Sequence, residues 1–305
     1  MLPLINYDSP KELRTFLEKQ GLGMRKKFGQ NFLINPAARL KLFDALELQA
    51  NDEVWEIGPG LGVMTAGLLE REARVTAFEI DPAFARILCE LFAGEILAGG
   101  INAGENSSAK PAFRLVEGDV LKTWPSVEAE KELLLLGNLP YNIAAALLAD
   151  FIEKGRFFRR MVVTVQREVA QRMAARPGSK DYSSFSVLCS SVYKVSLLSI
   201  IKSSSFYPAP RVDSQGVRLD LLPVMQTRSK LFHPLVRSLF SGRRKMIKNT
   251  LLSFVSSFII IEENKREVVE EALNHTGISG DRRPETLGID EFAALAAFFE
   301  GCSRE

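Results

Sequence analysis

Glu53-Val54-Trp55-Glu56-Ile57-Gly58-Pro59-Gly60-Leu61-Gly62 is the stretch that decides the fold. Its first half predicts a short buried strand over 53–57. The strand runs straight into glycines, and helical periodicity opens at Val63 and lasts to Arg71. Glycines let a backbone turn sharply and approach a ligand with no Cβ in the way, and the helix N-terminus behind them offers free N–H groups. A dinucleotide fingerprint would place its third glycine at 63 or 65, where Val63 and Thr65 stand, so the spacing Gly58-x-Gly60-x-Gly62 disfavours a pyrophosphate ligand.

Strands and helices alternate outward from this turn. The pattern predicts a strand over 74–79, a helix over 82–92, strands over 113–117 and 132–136, a helix over 143–153, a strand over 160–165 and a helix over 167–175. This rhythm implies a parallel, doubly wound sheet with helices on both faces. Two late strands, 192–200 and 216–221, are joined by a Ser- and Pro-rich loop too short for a crossover helix, which predicts an antiparallel pair closing the sheet. Before the glycine turn, 11–19 reads as a helix with Ser9 as cap, Pro10 at its first position and Glu12 three residues after the cap. A second helix spans 36–48, capped by Asn35, with Leu40, Phe43 and Leu46 on one face. After Pro223 strand signals stop, and helices are expected over 234–254, 263–276 and 289–302. The expected organisation is an N-terminal extension over 1–23, an α/β Rossmann-like domain over 24–224 and a small all-helical domain over 225–305. The stretch 94–110 has no periodicity and predicts a surface insertion.

The strand ends carry chemistry. Glu79 lies 21 residues beyond Gly58 at the end of the next strand, where a carboxylate can accept from both hydroxyls of a ribose. Asp119 follows Gly118 at the end of the third strand, placed to accept from an adenine amino group. A nucleoside ligand without phosphates points to S-adenosylmethionine, with S-adenosylhomocysteine as product. The strand before Gly137 delivers Asn138-Leu139-Pro140-Tyr141-Asn142. An exocyclic amino group is a poor nucleophile because its lone pair is delocalised into the ring. The Asn138 carboxamide oxygen and the Leu139 carbonyl can each accept one N6 hydrogen, drawing the nitrogen toward tetrahedral geometry. Pro140 stiffens the turn and the Tyr141 ring can stack on an extracted base. No dedicated base is evident for the final proton, which leaves solvent or water linked to Asn138.

Composition excludes other chemistries. Of 305 residues, 46% are hydrophobic and 25% charged, which is ordinary for a globular protein. Cys89, Cys189 and Cys302 lie far apart, and His233 and His275 are the only histidines, so neither a metal site nor a Ser-His-Asp triad is expected. The longest apolar run, 251–261, is too short to span a bilayer. The first twenty residues are charged where a signal peptide needs an apolar centre, so a cytoplasmic location with no membrane partner is expected. The net charge of +2 hides three basic runs: 24–41 has five cations and no acid, 154–180 has eight cations against Glu168 alone, and 237–248 has five unopposed. Such clustering around the chemical motifs points to a polyanionic partner.

At these motifs the chain resembles the ribosomal RNA adenine dimethylase family, most closely its bacterial small-subunit (16S) branch. The resemblance covers about residues 24–300. It rests on Lys26-Lys27-Phe28-Gly29-Gln30-Asn31-Phe32-Leu33, the run 56–62, the run 138–142, and Phe206-Tyr207-Pro208-Ala209-Pro210-Arg211-Val212-Asp213-Ser214. It implies that Asn31 and Leu33 join Gly58, Gly60, Glu79, Asp119 and Asn138 as cofactor contacts, and that Phe206 is the second aromatic face against the target base. Arg243, Arg244 and Lys245 fall where the family has a basic, RNA-facing cluster, on a helix whose Phe240, Ile247, Leu251 and Phe254 pack inward; Arg25, Lys26 and Lys27 are expected to contact RNA as well. The implied activity is dimethylation of two adjacent adenosines near the 3′ end of 16S rRNA in the assembling small subunit, by a monomer without metal. Two alternatives stand beside it: a 23S adenine methylase of the macrolide-resistance type, and a non-catalytic RNA-binding assembly factor. The intact Asn138, Tyr141, Glu79 and Asp119 argue against the second.

Overall fold

The structure is a computed structural model that describes residues 5–22, 31–94, 112–129, 132–224, 229–259 and 264–302. Arg25, Lys26, Lys27 and nearly all of the 94–110 insertion lie outside the described residues. Two compact units emerge: Met1–Asp150 with Arg156–Ala170 and Ser196–Asp220, and Phe151–Gly155 with Gln171–Val195 and Leu221–Glu305.

The first unit opens with helix α1 (Pro10–Lys19), whose cap Ser9 accepts from the Glu12 N–H, strand β1 (Phe32–Leu33), and helix α2 (Pro36–Leu46), whose cap Asn35 accepts from the Ala38 N–H. Then come β2 (Glu53–Ile57), α3 (Val63–Leu69), β3 (Arg74–Glu79), α4 (Pro82–Leu91), β4 (Phe113–Glu117), α5 (Val120–Thr123), β5 (Leu134–Asn138), α6 (Ala144–Glu153), β6 (Arg160–Gln166) and α7 (Arg167–Met173). After helix α8 (Ser184–Ser190), which belongs to the second unit, follow β7 (Tyr193–Ile201), β8 (Phe206–Tyr207) and β9 (Ser214–Leu221).

Seven strands form one sheet in the order β4-β3-β2-β5-β6-β9-β7. β2 pairs in parallel with both β3 and β5, so the chain winds outward to β4 and then returns to lay β5 on the opposite flank of β2. That reversal leaves a crevice beyond the carboxyl ends of β2 and β5, where ligands bind in sheets of this type. β9 runs antiparallel to β6, and β7 lies beyond it. A Cβ on Gly216 would meet Leu198, and the Leu222 N–H donates to the Val192 carbonyl, so β7 and β9 run in opposite directions as expected. The sheet's inner layer is apolar, with Val54, Val75, Leu134, Leu136 and Val162 among the buried residues. On α2 the buried face is Leu42, Phe43 and Leu46, while the predicted Leu40 is 51% exposed.

The second unit packs α9 (Phe232–Ser241), α10 (Ile247–Phe258), α11 (Lys265–Thr276) and α12 (Ile289–Cys302) around Phe232, Leu239, Leu251, Phe254, Phe292 and Phe299. Tyr182 and Val187 share this core, so the compact unit is not a single cut near 224. The single helix expected over 234–254 is two helices. Gly242 ends α9, and a Cβ there would lie 2.6 Å from the Thr250 methyl, so the glycine lets α10 fold back closely on the break.

Candidate active site

β2 and β5 end in register, Ile57 opposite Gly137, so the glycine turn and the Asn138 turn emerge side by side. Gly58 faces the Pro140 ring: a Cβ on it would sit 3.8 Å away. Gly60 has φ +58° and donates its N–H to Glu79 Oε2 at 3.0 Å. A Cβ on Gly60 would come within 2.7 Å of the Phe32 ring, so both its backbone conformation and its surroundings require glycine.

Glu79 is 4% exposed and its second oxygen accepts from the Asp81 N–H at 2.9 Å. Burial pushes its carboxyl up to about 7, against the pull of these backbone hydrogen bonds, which favour the ionised form. Glu56, one strand inward, is also buried and accepts from Thr65 Oγ1 at 2.6 Å. Burial pushes it up to about 8, and it ties α3 to β2 without lining the cleft. Asp119 caps α5, its Oδ1 accepting from the Leu121 N–H at 3.1 Å.

The Asn138 carboxamide Nδ2 donates to the Asn31 carbonyl at 2.7 Å. A backbone carbonyl can only accept, so the amide nitrogen must face Asn31 and the Oδ1 is turned the other way, ready to accept. The Leu139 N–H donates to the Thr164 carbonyl at 3.1 Å, and the Pro140 carbonyl accepts from Ile143 and Ala144, which locks the turn into the start of α6. Tyr141 is half-buried, and its hydroxyl lies 2.5 Å from Ser214 Oγ. Burial raises its phenol, with the Ser214 hydrogen bond acting the other way. Ser214 closes the Phe206–Ser214 motif, and Asp213 beside it accepts from the Ser203 N–H while its carbonyl takes the Arg167 N–H. The motif thus anchors the Tyr141 ring through its last residue.

These groups converge on one cleft. Of the residues predicted from sequence, Asn31, Gly58, Gly60, Glu79, Asp119, Asn138, Leu139, Pro140 and Tyr141 line it. Leu33 and Phe206 do not. β1 pairs antiparallel with β8, Phe32 opposite Tyr207 and Leu33 opposite Phe206. Successive side chains of a strand point to opposite faces, so Phe32 enters the cleft wall while Leu33 and Phe206 are buried together in the sheet core, 2% and 3% exposed. The Leu33 carbonyl is taken by Arg39 Nη1 at 2.9 Å. Sequence reasoning missed Phe32, Ile80, Val120 and Ile143 on the cleft wall. Ile80 is 42% exposed directly after Glu79, and Val120 directly follows Asp119; an apolar residue after each strand-end acid was the available signal.

In the second unit the basic triplet lies in the turn between α9 and α10, not on a helix. Arg243 Nε pairs with Glu285 at 2.5 Å and Nη2 donates to the Lys180 carbonyl, so this guanidinium is tied to its own unit. Arg244 and Lys245 are exposed and make no ion pair among the described residues. Among the described residues no group of acids, cysteines and histidines could hold a metal, and no helix is long and apolar enough to cross a membrane.

A doubly wound sheet ending in an antiparallel strand, with a glycine turn, strand-end acids and an Asn-Leu-Pro-Tyr turn in one crevice, defines a Rossmann-like methyltransferase. Solved structures agree: a dimethyladenosine transferase from Plasmodium falciparum superposes with TM-score 0.71 at 25% identity over 88% of this chain and 98% of that one. The 23S rRNA methyltransferase ErmE, at 24% identity, shares the fold with TM-score 0.60 over 88% of this chain and 98% of its own. The family model for ribosomal RNA adenine dimethylase matches residues 21–293, and the Ribosomal RNA small subunit methyltransferase A of Treponema denticola is 43% identical over 95% of this chain and 94% of its own length. The chain belongs to the ribosomal RNA adenine dimethylase family.

Proposed function

We propose that this protein transfers methyl groups from S-adenosylmethionine to the N6 nitrogens of two adjacent adenosines near the 3′ end of small-subunit (16S) rRNA. It acts as a monomer in the cytoplasm on the assembling subunit. The observation that carries the reading is the Asn138 amide, fixed by Asn31 so that its oxygen is the free acceptor beside the glycine turn.

The cleft fits the donor. Gly60 lets the Phe32 ring pack directly on the glycine turn as part of the cleft wall, Glu79 offers a carboxylate for ribose hydroxyls, Asp119 offers an acceptor for an adenine amino group, and Ile80 and Val120 supply apolar contact. When bound, S-adenosylmethionine supplies an electrophilic methyl group on a sulfonium. Asn138 Oδ1 and the Leu139 carbonyl accept the two N6 hydrogens of the target adenine, localising the nitrogen lone pair. Tyr141, tethered by Ser214, stacks on the base and holds it in line. Solvent takes the proton released after transfer. Arg244 and Lys245 contact RNA phosphates, and the helical unit is the RNA-gripping part.

Support for the small-subunit target comes from the name carried by the Treponema denticola relative and from the substantial helical unit. The decisive experiment incubates the protein and labelled S-adenosylmethionine with under-methylated small subunits and, separately, large subunits, and identifies N6,N6-dimethyladenosine by mass spectrometry. Label confined to small-subunit RNA supports the reading. Label in large-subunit RNA transfers the assignment to the 23S type, and no label with the unaltered protein leaves a binding factor.

A further inference from the structure

The segment before the basic stretch is fastened to both walls of the cleft. Helix α1 buries Leu13, Phe16 and Leu17 in a cluster with Phe32, Leu61, Phe84 and Ile87. Just before it, the Tyr7 hydroxyl donates to the Leu61 carbonyl at 2.9 Å, across 54 residues of chain. Leu61 sits between Gly60, whose N–H holds Glu79, and Gly62, which begins α3. The next residue, Asp8, pairs at 2.5 Å with Arg39, a guanidinium whose side chain is 13% exposed. The other arm of Arg39 donates to the Leu33 carbonyl in β1. β1 carries Phe32 into the cleft wall, and Asn31 just before it holds the Asn138 amide. Two consecutive residues therefore tie down the glycine turn on one side and the Asn31–Leu33 strand on the other. Neither Tyr7 nor Asp8 lines the cleft. Burial raises the Tyr7 phenol, with Glu56 adding to the effect, so it stays a hydroxyl donor throughout the neutral range.

We infer that Tyr7 and Asp8 are positioning residues: the N-terminal strap holds the two walls of the cofactor cleft in their ligand-ready arrangement, so that donor binding does not have to order them. This rests on reading the cleft as the S-adenosylmethionine site. A flexible glycine turn would lose conformational freedom on binding, and every fastening made beforehand lowers that cost. Because the Tyr7 hydrogen bond touches the glycine turn and neither Asn138 nor the reacting atoms, its loss falls on affinity and leaves the chemical step alone.

The test uses the full chain with Tyr7→Phe, Asp8→Asn and the double variant. Three quantities are measured: the Kd for S-adenosylmethionine by calorimetry, the melting temperature without ligand, and kcat and KM on under-methylated small subunits. Tyr7→Phe removes one hydroxyl and no packing surface. It is expected to raise Kd and KM for S-adenosylmethionine about three- to ten-fold, with kcat within about twofold and the ligand-free melting temperature close to that of the unaltered protein. The double variant raises Kd further. An unchanged Kd in Tyr7→Phe, or a loss appearing only in melting temperature and kcat, overturns the strap while the proposed activity stands. Failure of the unaltered protein to bind S-adenosylmethionine sinks both.

Discussion

The cleft at the strand tips and the turn between α9 and α10 hold the polar groups to which the proposed function assigns roles, and they treat them in opposite ways. In the cleft each group is oriented by protein: Glu79 by two backbone N–H groups, Asn138 by Asn31, Tyr141 by Ser214. In the turn Arg244 and Lys245 stand in solvent, and only Arg243 is tied down. The contrast fits what each proposed role requires. Localising a lone pair needs an acceptor fixed before the substrate arrives, whereas neutralising phosphates needs only charge within reach.

The harshest test removes the fixed acceptor. Asn138→Ala deletes the oxygen proposed to accept an N6 hydrogen, and kcat is expected to fall by about 10²–10³-fold while RNA affinity holds. Single-turnover methyl transfer measures it, and a loss under tenfold would place the lone-pair step elsewhere. Glu79→Gln comes next. Both carboxylate oxygens accept N–H groups, so a carboxamide must present its own NH₂ to one of them and release one anchor of the turn. The Kd for S-adenosylmethionine is expected to rise roughly 10- to 100-fold, read by calorimetry.

The exposed side of the comparison is probed by salt. Replacing Arg244 and Lys245 together by alanine is expected to weaken RNA binding by a similar factor on every RNA tested, and to lower the slope of log affinity against log salt by about one for each phosphate that is no longer neutralised. Arg243→Ala is expected to leave that slope nearly unchanged and to cost under about 1 kcal/mol of stability, since its partner Glu285 is only partly buried. If Arg243→Ala instead changes the slope as much as the double variant, the division between tied and free cations is wrong.

How much of this was legible in the sequence follows from how far each signal reaches. The strand ends were readable because apolar runs stop in glycine or an acid, and Gly58, Glu79, Asp119 and Asn138 fell where a doubly wound sheet must bring them. The caps Ser9 and Asn35 were readable because capping is local. The pairing of β1 with β8 was not: two residues carry no period, and the pairing joins positions far apart in the chain. That phase alone exchanges Phe32 for Leu33 at the cleft and sends Phe206 into the core. The break at Gly242 was hidden for a related reason, since both helices keep an apolar face across it and only the closeness of Thr250 requires the glycine. The Tyr141–Ser214 contact joins two motifs recognisable singly, but their meeting depends on β9 lying beside β6.

The smallest expected effect comes from the buried acids that underlie the cleft's rigidity. Glu56 at about 8 and Glu79 at about 7 both lie above their ordinary value of 4.5, with burial the main cause. The folded chain therefore holds protons that the unfolded chain has released. Stability from these groups is fully present below about pH 4.5 and is lost as pH rises through about 7 to 8. The ligand-free melting temperature is expected to drop between about pH 5.5 and pH 8.5, and Glu56→Gln, which keeps an acceptor for Thr65, should remove much of that drop. Donor affinity should move the other way. A neutral Glu79 has a proton where an acceptor is needed, so ribose hydroxyls favour the ionised form and S-adenosylmethionine should bind more tightly as pH passes about 7. Opposite pH trends for ligand-free stability and donor affinity are the signature of a carboxyl buried for a ligand, and parallel trends would show that Glu79 is only part of the scaffold.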